Sequence, residues 1–107
     1  MDENTVILEG CLSEVTSPSS ERAPFRLRVE TSIGSNRERH HVIAWKEAGD
    51  CSKLRTGDRV KVKGRLQTRS YEKDGTRKWV TEVIAATVNV TNAAAQGAYD
   101  DDPGPGF

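Results

Sequence analysis

Residues 57–84 read GDRVKVKGRLQTRSYEKDGTRKWVTEVI, and the alternation within this stretch decides the fold. From residue 59 to residue 69, polar side chains occupy every second position: Arg59, Lys61, Lys63, Arg65, Gln67 and Arg69. The positions between them include Val60, Val62, Leu66 and Thr68. Because strand side chains alternate in direction, the pattern predicts a β-strand with one cationic face and one core face. The Asp74-Gly75 pair then supplies the positive-φ residues of a tight hairpin turn.

Charge is divided unevenly along a chain whose 16 basic and 16 acidic residues cancel. Residues 53–78 carry ten Lys and Arg against three Asp and Glu, a net charge of +7. The net charge is −3 for residues 1–52 and −4 for residues 79–107. A local cationic stretch with interleaved aromatics predicts a surface for a polyanion that carries flat bases.

The 107 residues, 35% of them hydrophobic, provide for one domain with a modest core. No stretch approaches the ~20 apolar residues of a membrane span, and the acidic start at Met1 is unlike a signal peptide. We therefore expect a cytoplasmic protein. In a reducing compartment, Cys11 and Cys51 are expected to be small buried hydrophobic residues rather than a disulfide.

Strand periodicity dominates the chain, with one short helical segment at Lys46–Leu54 that Gly49 limits to two turns at most. Five strands are predicted, at Thr5–Leu12, Phe25–Glu30, Glu38–Trp45, Arg59–Ser70 and Lys78–Val88. Gly10 marks a bulge or a bend in the first of them. Five strands with a helix between the third and the fourth predict an all-β OB-fold, a Greek-key barrel. An SH3-like barrel uses the same elements, and periodicity does not separate the two.

The composition changes after Asn92, so we expect a domain over residues 1–91 and a flexible tail over residues 92–107. The tail is too poor in apolar residues to compensate its ordering entropy. It combines an acidic cluster with a terminal aromatic, a form suited to docking in a basic-rimmed apolar pocket: Asp100, Asp101, Asp102, Pro105 and Phe107. An alternative is that the acidic tail serves solubility alone.

Several motifs together resemble the bacterial-type single-stranded DNA-binding protein family over about residues 4–90. They are the segments Thr5–Gly10, His40–Ile43, Leu54–Val60, Gly64–Arg69 and Thr81–Val83. The resemblance implies an OB-fold that binds single-stranded DNA of any sequence in replication, recombination and repair. It also implies homo-oligomers, docking of replication and repair proteins on the tail, no cofactor and no catalysis.

Aligning these motifs assigns roles to individual residues. The resemblance implies base stacking by Trp45 and Tyr71, and Trp79 aligns with a further aromatic position of the family. The predicted phosphate contacts are Arg55, Arg69, Lys73, Arg77 and Lys78, and the remaining candidates on the DNA surface are Arg39, His41, Lys61, Lys63 and Arg65. From the residues alone, a core position is favoured for Trp45. Trp79 shares a strand face with Val83, and the sequence leaves open whether this face points into the core or toward solvent.

The chain also departs from the family pattern. Arg39 stands where the family commonly has tryptophan, so one stacking platform is missing. Arg59, Lys61 and Lys63 occupy positions at which family tetramers pack dimer against dimer, and like charges across a two-fold axis are destabilising. We therefore weigh a dimer against the usual tetramer.

Other function classes remain as alternatives. A dimeric OB protein of the primosomal replication protein N type binds single-stranded DNA but usually lacks an acidic tail. An OB module for RNA or for protein is the third option. An enzyme is disfavoured, because the sequence has no HExxH motif, no CxxC pair, no nucleophile elbow and no Gly-rich phosphate loop.

Overall fold

Five β-strands and one short 3-10 helix make up the protein in the computed structural model, which describes residues 1–93. The strands are β1 (Val6–Thr16), β2 (Phe25–Ile33), β3 (Asn36–Ala44), β4 (Arg59–Lys73) and β5 (Thr76–Asn92). The helix covers only Lys46–Ala48, and Gly49 ends it at a φ of 115°. All five predicted strands are present, and the helix lies where it was predicted but is shorter.

The strands close into a barrel in the order β1-β2-β3-β5-β4. Strand β1 lies between two neighbours, because its first half pairs with β4 and its second half with β2. Strands β3 and β5 pair in parallel, with Val42 opposite Val83 and Ile43 opposite Ile84. The barrel confirms the predicted OB-fold.

Gly10 lies where β1 passes from β4 to β2. A Cβ atom at this position would lie 2.1 Å from the backbone oxygen of Glu30, so the crossing requires a glycine. The irregularity in the β1–β2 pairing follows between Leu12 and Glu14. Gly10 therefore permits the close approach of two backbones, and the bulge lies just beyond it.

The core consists of small aliphatic side chains that point into the barrel from every strand. Its five largest fully buried side chains are Leu12, Val29, Val42, Val60 and Val62. Cys51 is buried within the core cluster, as expected, but Cys11 is exposed. The expectation was wrong for Cys11 because it lies between the inward-facing Gly10 and Leu12 and so points outward.

Strands β4 and β5 form a long hairpin that extends past the barrel. Asp74 (φ 54°) and Gly75 (φ 77°) form its turn and confirm the predicted positive-φ pair. The prediction that Leu66 and Thr68 face a core was wrong, since both are exposed and Leu66 retains 45% of its accessible surface. Leu66 pairs with the buried Val83 and so keeps the side that the alternation gives it. Strand β1 pairs with β4 only as far as Gly64, so this part of the hairpin extends past the barrel and is open to solvent.

Candidate functional site

One outward surface of the barrel combines cationic, aromatic and apolar side chains, and we call it the front face. Directly paired residues of neighbouring strands point to the same side of a sheet. The cross-strand pairs that define the front face are Arg26 with Ile43, Ile43 with Ile84, Arg65 with Ile84, Gln67 with Glu82, Arg69 with Val80, and Tyr71 with Lys78.

Trp45 follows the end of β3 and joins the front face instead of the core. Its side chain is 42% exposed. A shallow cavity of about 300 Å³ lies beside it, over Ile43 and Ile84 and between Arg26 and Arg69. The indole therefore borders an open, cation-flanked depression, which is the setting that a stacking platform needs.

Arg69 connects the front face to a buried carboxylate. Its Nε lies 3.0 Å from Oε1 of Glu82, whose side chain is only 8% exposed. The hydrogen bond and the charge of Glu82 raise the pKa of Arg69 further above its ordinary value, so the guanidinium keeps its proton. The Cζ of Arg69 also lies 6.0 Å from the ring centroid of Tyr71. Glu82 thus fixes Arg69 in contact with the exposed tyrosine ring.

The front face continues onto the outward side of β2 and β3. His41 pairs with Arg28 and Arg39 pairs with Glu30, so all four side chains point outward. Arg28 forms an ion pair of 3.0 Å with Glu14, and the Nε of Arg39 lies 3.4 Å from Glu30. Both arginines therefore carry a carboxylate partner.

Two functional candidates were missed from the sequence, namely Arg26 and Arg28. Their signal was the alternation in Phe25–Glu30, which places both arginines on the outward side of β2. Both arginines lie outside the cationic stretch of residues 53–78. Arg26 now lies directly beside the Trp45 cavity.

Trp79 lies on the opposite side of the hairpin from Tyr71. It pairs with Ser70, and the hydroxyl of Ser70 accepts a hydrogen bond of 3.0 Å from Arg77 Nη1. Trp79 is 67% exposed. It shares a strand face with Val83, which is buried, but at Trp79 this face is open to solvent. The structure therefore brings Trp45, Arg69 and Tyr71 to one surface and places Trp79 and Arg77 on another, the back of the hairpin.

The remaining candidates do not line the Trp45 cavity. Lys61 and Lys63 point outward from the first half of β4, opposite Glu9 and Ile7 of β1. Lys73 stands at the tip of the hairpin, next to the turn. Arg65 approaches Gln67, with 3.4 Å between Nη2 and Oε1.

Arg55 precedes β4 in a loop that a buried carboxylate holds. Its backbone N–H donates to Oδ2 of Asp58 at 3.0 Å, and the backbone N–H of Asp58 donates to the Arg55 oxygen at the same distance. The tail candidates Asp100, Asp101, Asp102, Pro105 and Phe107 lie outside the described residues.

Two further kinds of feature are absent from residues 1–93. These residues contain no cluster of three or more His, Cys, Asp or Glu side chains that would hold a metal ion. They also contain no helix that is long and apolar enough to cross a membrane.

The chemistry of the front face follows from its parts. Exposed aromatic rings accept any base by stacking, and fixed cations neutralise phosphates without reading sequence. Apolar side chains at the bottom of the depression exclude water from under a stacked ring. The arrangement suits an extended, flexible polyanion with planar bases.

Comparison with known proteins points in the same direction. The model of the single-strand binding protein family matches residues 4–91. Single-stranded DNA-binding protein 2 of Streptococcus agalactiae serotype V is 31% identical over 111 residues, covering 92% of this chain and 85% of the relative. The single-stranded DNA-binding protein of Bacillus cereus is 32% identical, covering 97% of this chain and 72% of its own length. The chain spans about half of the Chlorobaculum tepidum single-stranded DNA-binding protein 1, which is 36% identical over 78 residues.

Solved structures share the fold. A mitochondrial single-stranded DNA-binding protein from S. cerevisiae superposes with a TM-score of 0.72 at 16% identity, covering 88% of this chain and all of that one. The Plasmodium falciparum single-strand binding protein in complex with single-stranded DNA gives a TM-score of 0.69 at 18% identity, covering 86% of this chain and 97% of that one. At these identities, the similarity concerns the barrel architecture.

Proposed function

Because the chain belongs to the single-strand binding protein family, we propose that it binds single-stranded DNA of any sequence in replication, recombination and repair. The observation that carries the proposal is the front face, where Trp45 and Tyr71 stand exposed on either side of Arg69. The proposed role is noncatalytic and needs no cofactor. Its proposed location is the cytoplasm, at the nucleoid.

Affinity would come from two sequence-independent sources. Bases stack on Trp45 and Tyr71, with each contact contributing about 1–3 kcal/mol. Phosphates contact the cations around these rings and release counterions. The proposed phosphate contacts are Arg26, Arg55, Arg65, Arg69, Lys73 and Lys78. Arg69 has the additional role of positioning Tyr71, since Glu82 already holds one side of its guanidinium.

The β2–β3 part of the surface would bind DNA mainly by charge. Arg39 and His41 point to the front face at positions where no aromatic ring is available. Binding there exchanges the ion pair between Arg39 and Glu30 for one with a phosphate, so its net gain is small. We therefore expect a weaker and more salt-dependent contact on this side.

Trp79 and Arg77 would serve a longer strand. Their position on the back of the hairpin means that one short oligonucleotide does not reach them together with Tyr71. A longer strand that passes around the edge of the hairpin would stack on Trp79. The contribution of Trp79 is therefore proposed to depend on oligonucleotide length.

The proposed assembly is a homo-oligomer, either a dimer or a tetramer. Lys61 and Lys63 point outward on β4, and charge on this surface opposes packing of one β4 against another. If the protein is a dimer, this surface is free to contact DNA. If it is a tetramer, the surface is a subunit interface in which the charge of the two lysines is neutralised. Sedimentation of the protein with and without a long dT oligomer distinguishes the two.

The tail residues are proposed to dock replication and repair proteins through Asp100, Asp101, Asp102, Pro105 and Phe107. Removing residues 99–107 should leave binding of single-stranded DNA intact while abolishing capture of such a partner. Capture by the shortened chain would contradict the proposal.

Fluorescence anisotropy with a labelled dT oligomer tests the DNA-binding function itself. We expect tight binding at about 50 mM salt that weakens strongly at about 200 mM salt. An rU oligomer of the same length and a DNA duplex serve as competitors and should compete poorly. Equal competition by rU would indicate an RNA-binding module, and no binding at low salt would indicate a protein-binding module.

A further inference from the structure

A second cavity adjoins the front face on the far side of Trp45. Its volume is about 610 Å³, within the range of about 300–1,000 Å³ that is common for small-ligand sites. Phe25, Ala44 and Cys51 contribute the apolar part of its lining, and Trp45 borders both this cavity and the smaller one beside Arg69. The two depressions therefore share one exposed indole as part of their walls.

We propose that this cavity receives one unstacked nucleobase of the bound strand and prefers a base with an exocyclic amino group. The proposal rests on the DNA-binding function proposed above. A strand that crosses the front face and stacks on Trp45 reaches the mouth of the cavity at the next nucleotide. The occupant is thus a base of the same strand, and Lys46 in the cavity lining is available to its phosphate.

Two carboxylates make the cavity selective. Glu21 lies in the loop between β1 and β2, Asp50 lies in the loop between β3 and β4, and both line the cavity. The backbone N–H of Ser52 donates to Oδ1 of Asp50 at 3.0 Å. Hydrogen bonds from Ser52 lower the pKa of Asp50, so at neutral pH this carboxylate is ionised and acts only as an acceptor.

An acceptor-only wall distinguishes the two pyrimidines. Cytosine presents an N4 amino donor, to which Asp and Glu accept hydrogen bonds, whereas thymine presents the O4 acceptor at the same place. A carboxylate therefore attracts the cytosine edge and repels that thymine oxygen. Cytosine and thymine are nearly equal in size, so stacking on Trp45 does not separate them by shape.

The same carboxylates also repel phosphates. Their two effects on binding, repulsion and base recognition, are distinguished by measurement. General repulsion weakens binding of every oligonucleotide by the same factor. Base recognition changes the ratio of the dissociation constants for dT and dC oligomers of equal length. The ratio is therefore the quantity to measure.

The test compares wild type with the double variant Glu21→Gln and Asp50→Asn in the full chain at neutral pH. Amide side chains both donate and accept, so they serve either pyrimidine. The ratio Kd(dT)/Kd(dC) should fall by about three- to tenfold in the double variant. Glu9→Gln on β1, outside the cavity, removes the same type of charge and should leave the ratio unchanged.

A second variant, Ala23→Leu, fills the cavity without changing charge. It should reduce the same ratio while the melting temperature stays that of wild type. An unchanged ratio in both variants, with dT binding intact, overturns the base pocket and leaves the DNA-binding proposal standing. Failure of wild type to bind either oligomer would instead refute the function from which the pocket follows.

Discussion

Replacing Tyr71 by alanine should remove one stacking platform without disturbing the barrel. Tyr71 stands on the part of the hairpin that extends past the core, and 42% of its surface is exposed. The face of the ring that does not contact Arg69 is thus available to a base. Loss of one base–aromatic stack costs about 1–3 kcal/mol, so affinity should fall by about 5- to 150-fold.

The assay is anisotropy of a labelled dT oligomer that is too short to pass around the hairpin. Tyr71→Phe keeps the ring and should bind within about twofold of wild type. Trp79→Ala is the matched control, because it removes a larger and more exposed aromatic from the back of the same hairpin. It should also stay within about twofold on the short oligomer.

Two results would refute this reasoning. One is a Tyr71→Ala protein that melts like wild type and binds the short oligomer with unchanged affinity. The other is a Trp79→Ala protein that loses more affinity for the short oligomer than the Tyr71→Ala protein does. The second result would show that the back of the hairpin, and not the front face, holds the DNA.

Three further outcomes are expected. Gly64→Ala should destabilise the fold by about 3 kcal/mol and lower the melting temperature by more than about 10 °C, because the new Cβ would lie 2.1 Å from the Ile84 backbone oxygen. An unchanged melting temperature by circular dichroism would contradict this close approach. Arg26→Ala should make the plot of log K against log salt concentration less steep by about 0.7, and an identical slope would exclude Arg26 as a phosphate contact. In a Cys11→Ser protein, Cys51 should react with a thiol reagent much more slowly in the folded than in the unfolded protein, since it is buried and burial raises its pKa; equally rapid labelling of the folded protein would contradict this.

Much of the fold could be predicted because alternation and turn chemistry are local properties. Val60 and Val62 alternate with lysines and lie in the core as the pattern requires. Leu66 continues the same pattern but is exposed, because it lies where the hairpin leaves the barrel and β1 pairs with β4 only as far as Gly64. The end of the barrel depends on strands far apart in the sequence and is not encoded within a short window.

The site was predictable in part for a related reason. The two-residue turn at Asp74-Gly75 fixes the hairpin register, and counting outward from it pairs Tyr71 with Lys78. The opposite faces of Tyr71 and Trp79 were therefore already implied by the turn. The ion pair between Arg69 and Glu82 depends on the same register, in which the two residues are diagonal neighbours.

The position of β1 between β2 and β4 has a consequence for how the chain folds. The β4–β5 hairpin joins residues close in sequence, whereas Val6 pairs with Gly64, which lies far from it in the sequence. Local contacts form early, and distant ones carry a larger loop-closure entropy. The β4–β5 hairpin is thus expected to assemble before the barrel closes. During synthesis, the second half of β1 can pair early with β2, whereas the first half must wait for β4, which the ribosome makes much later.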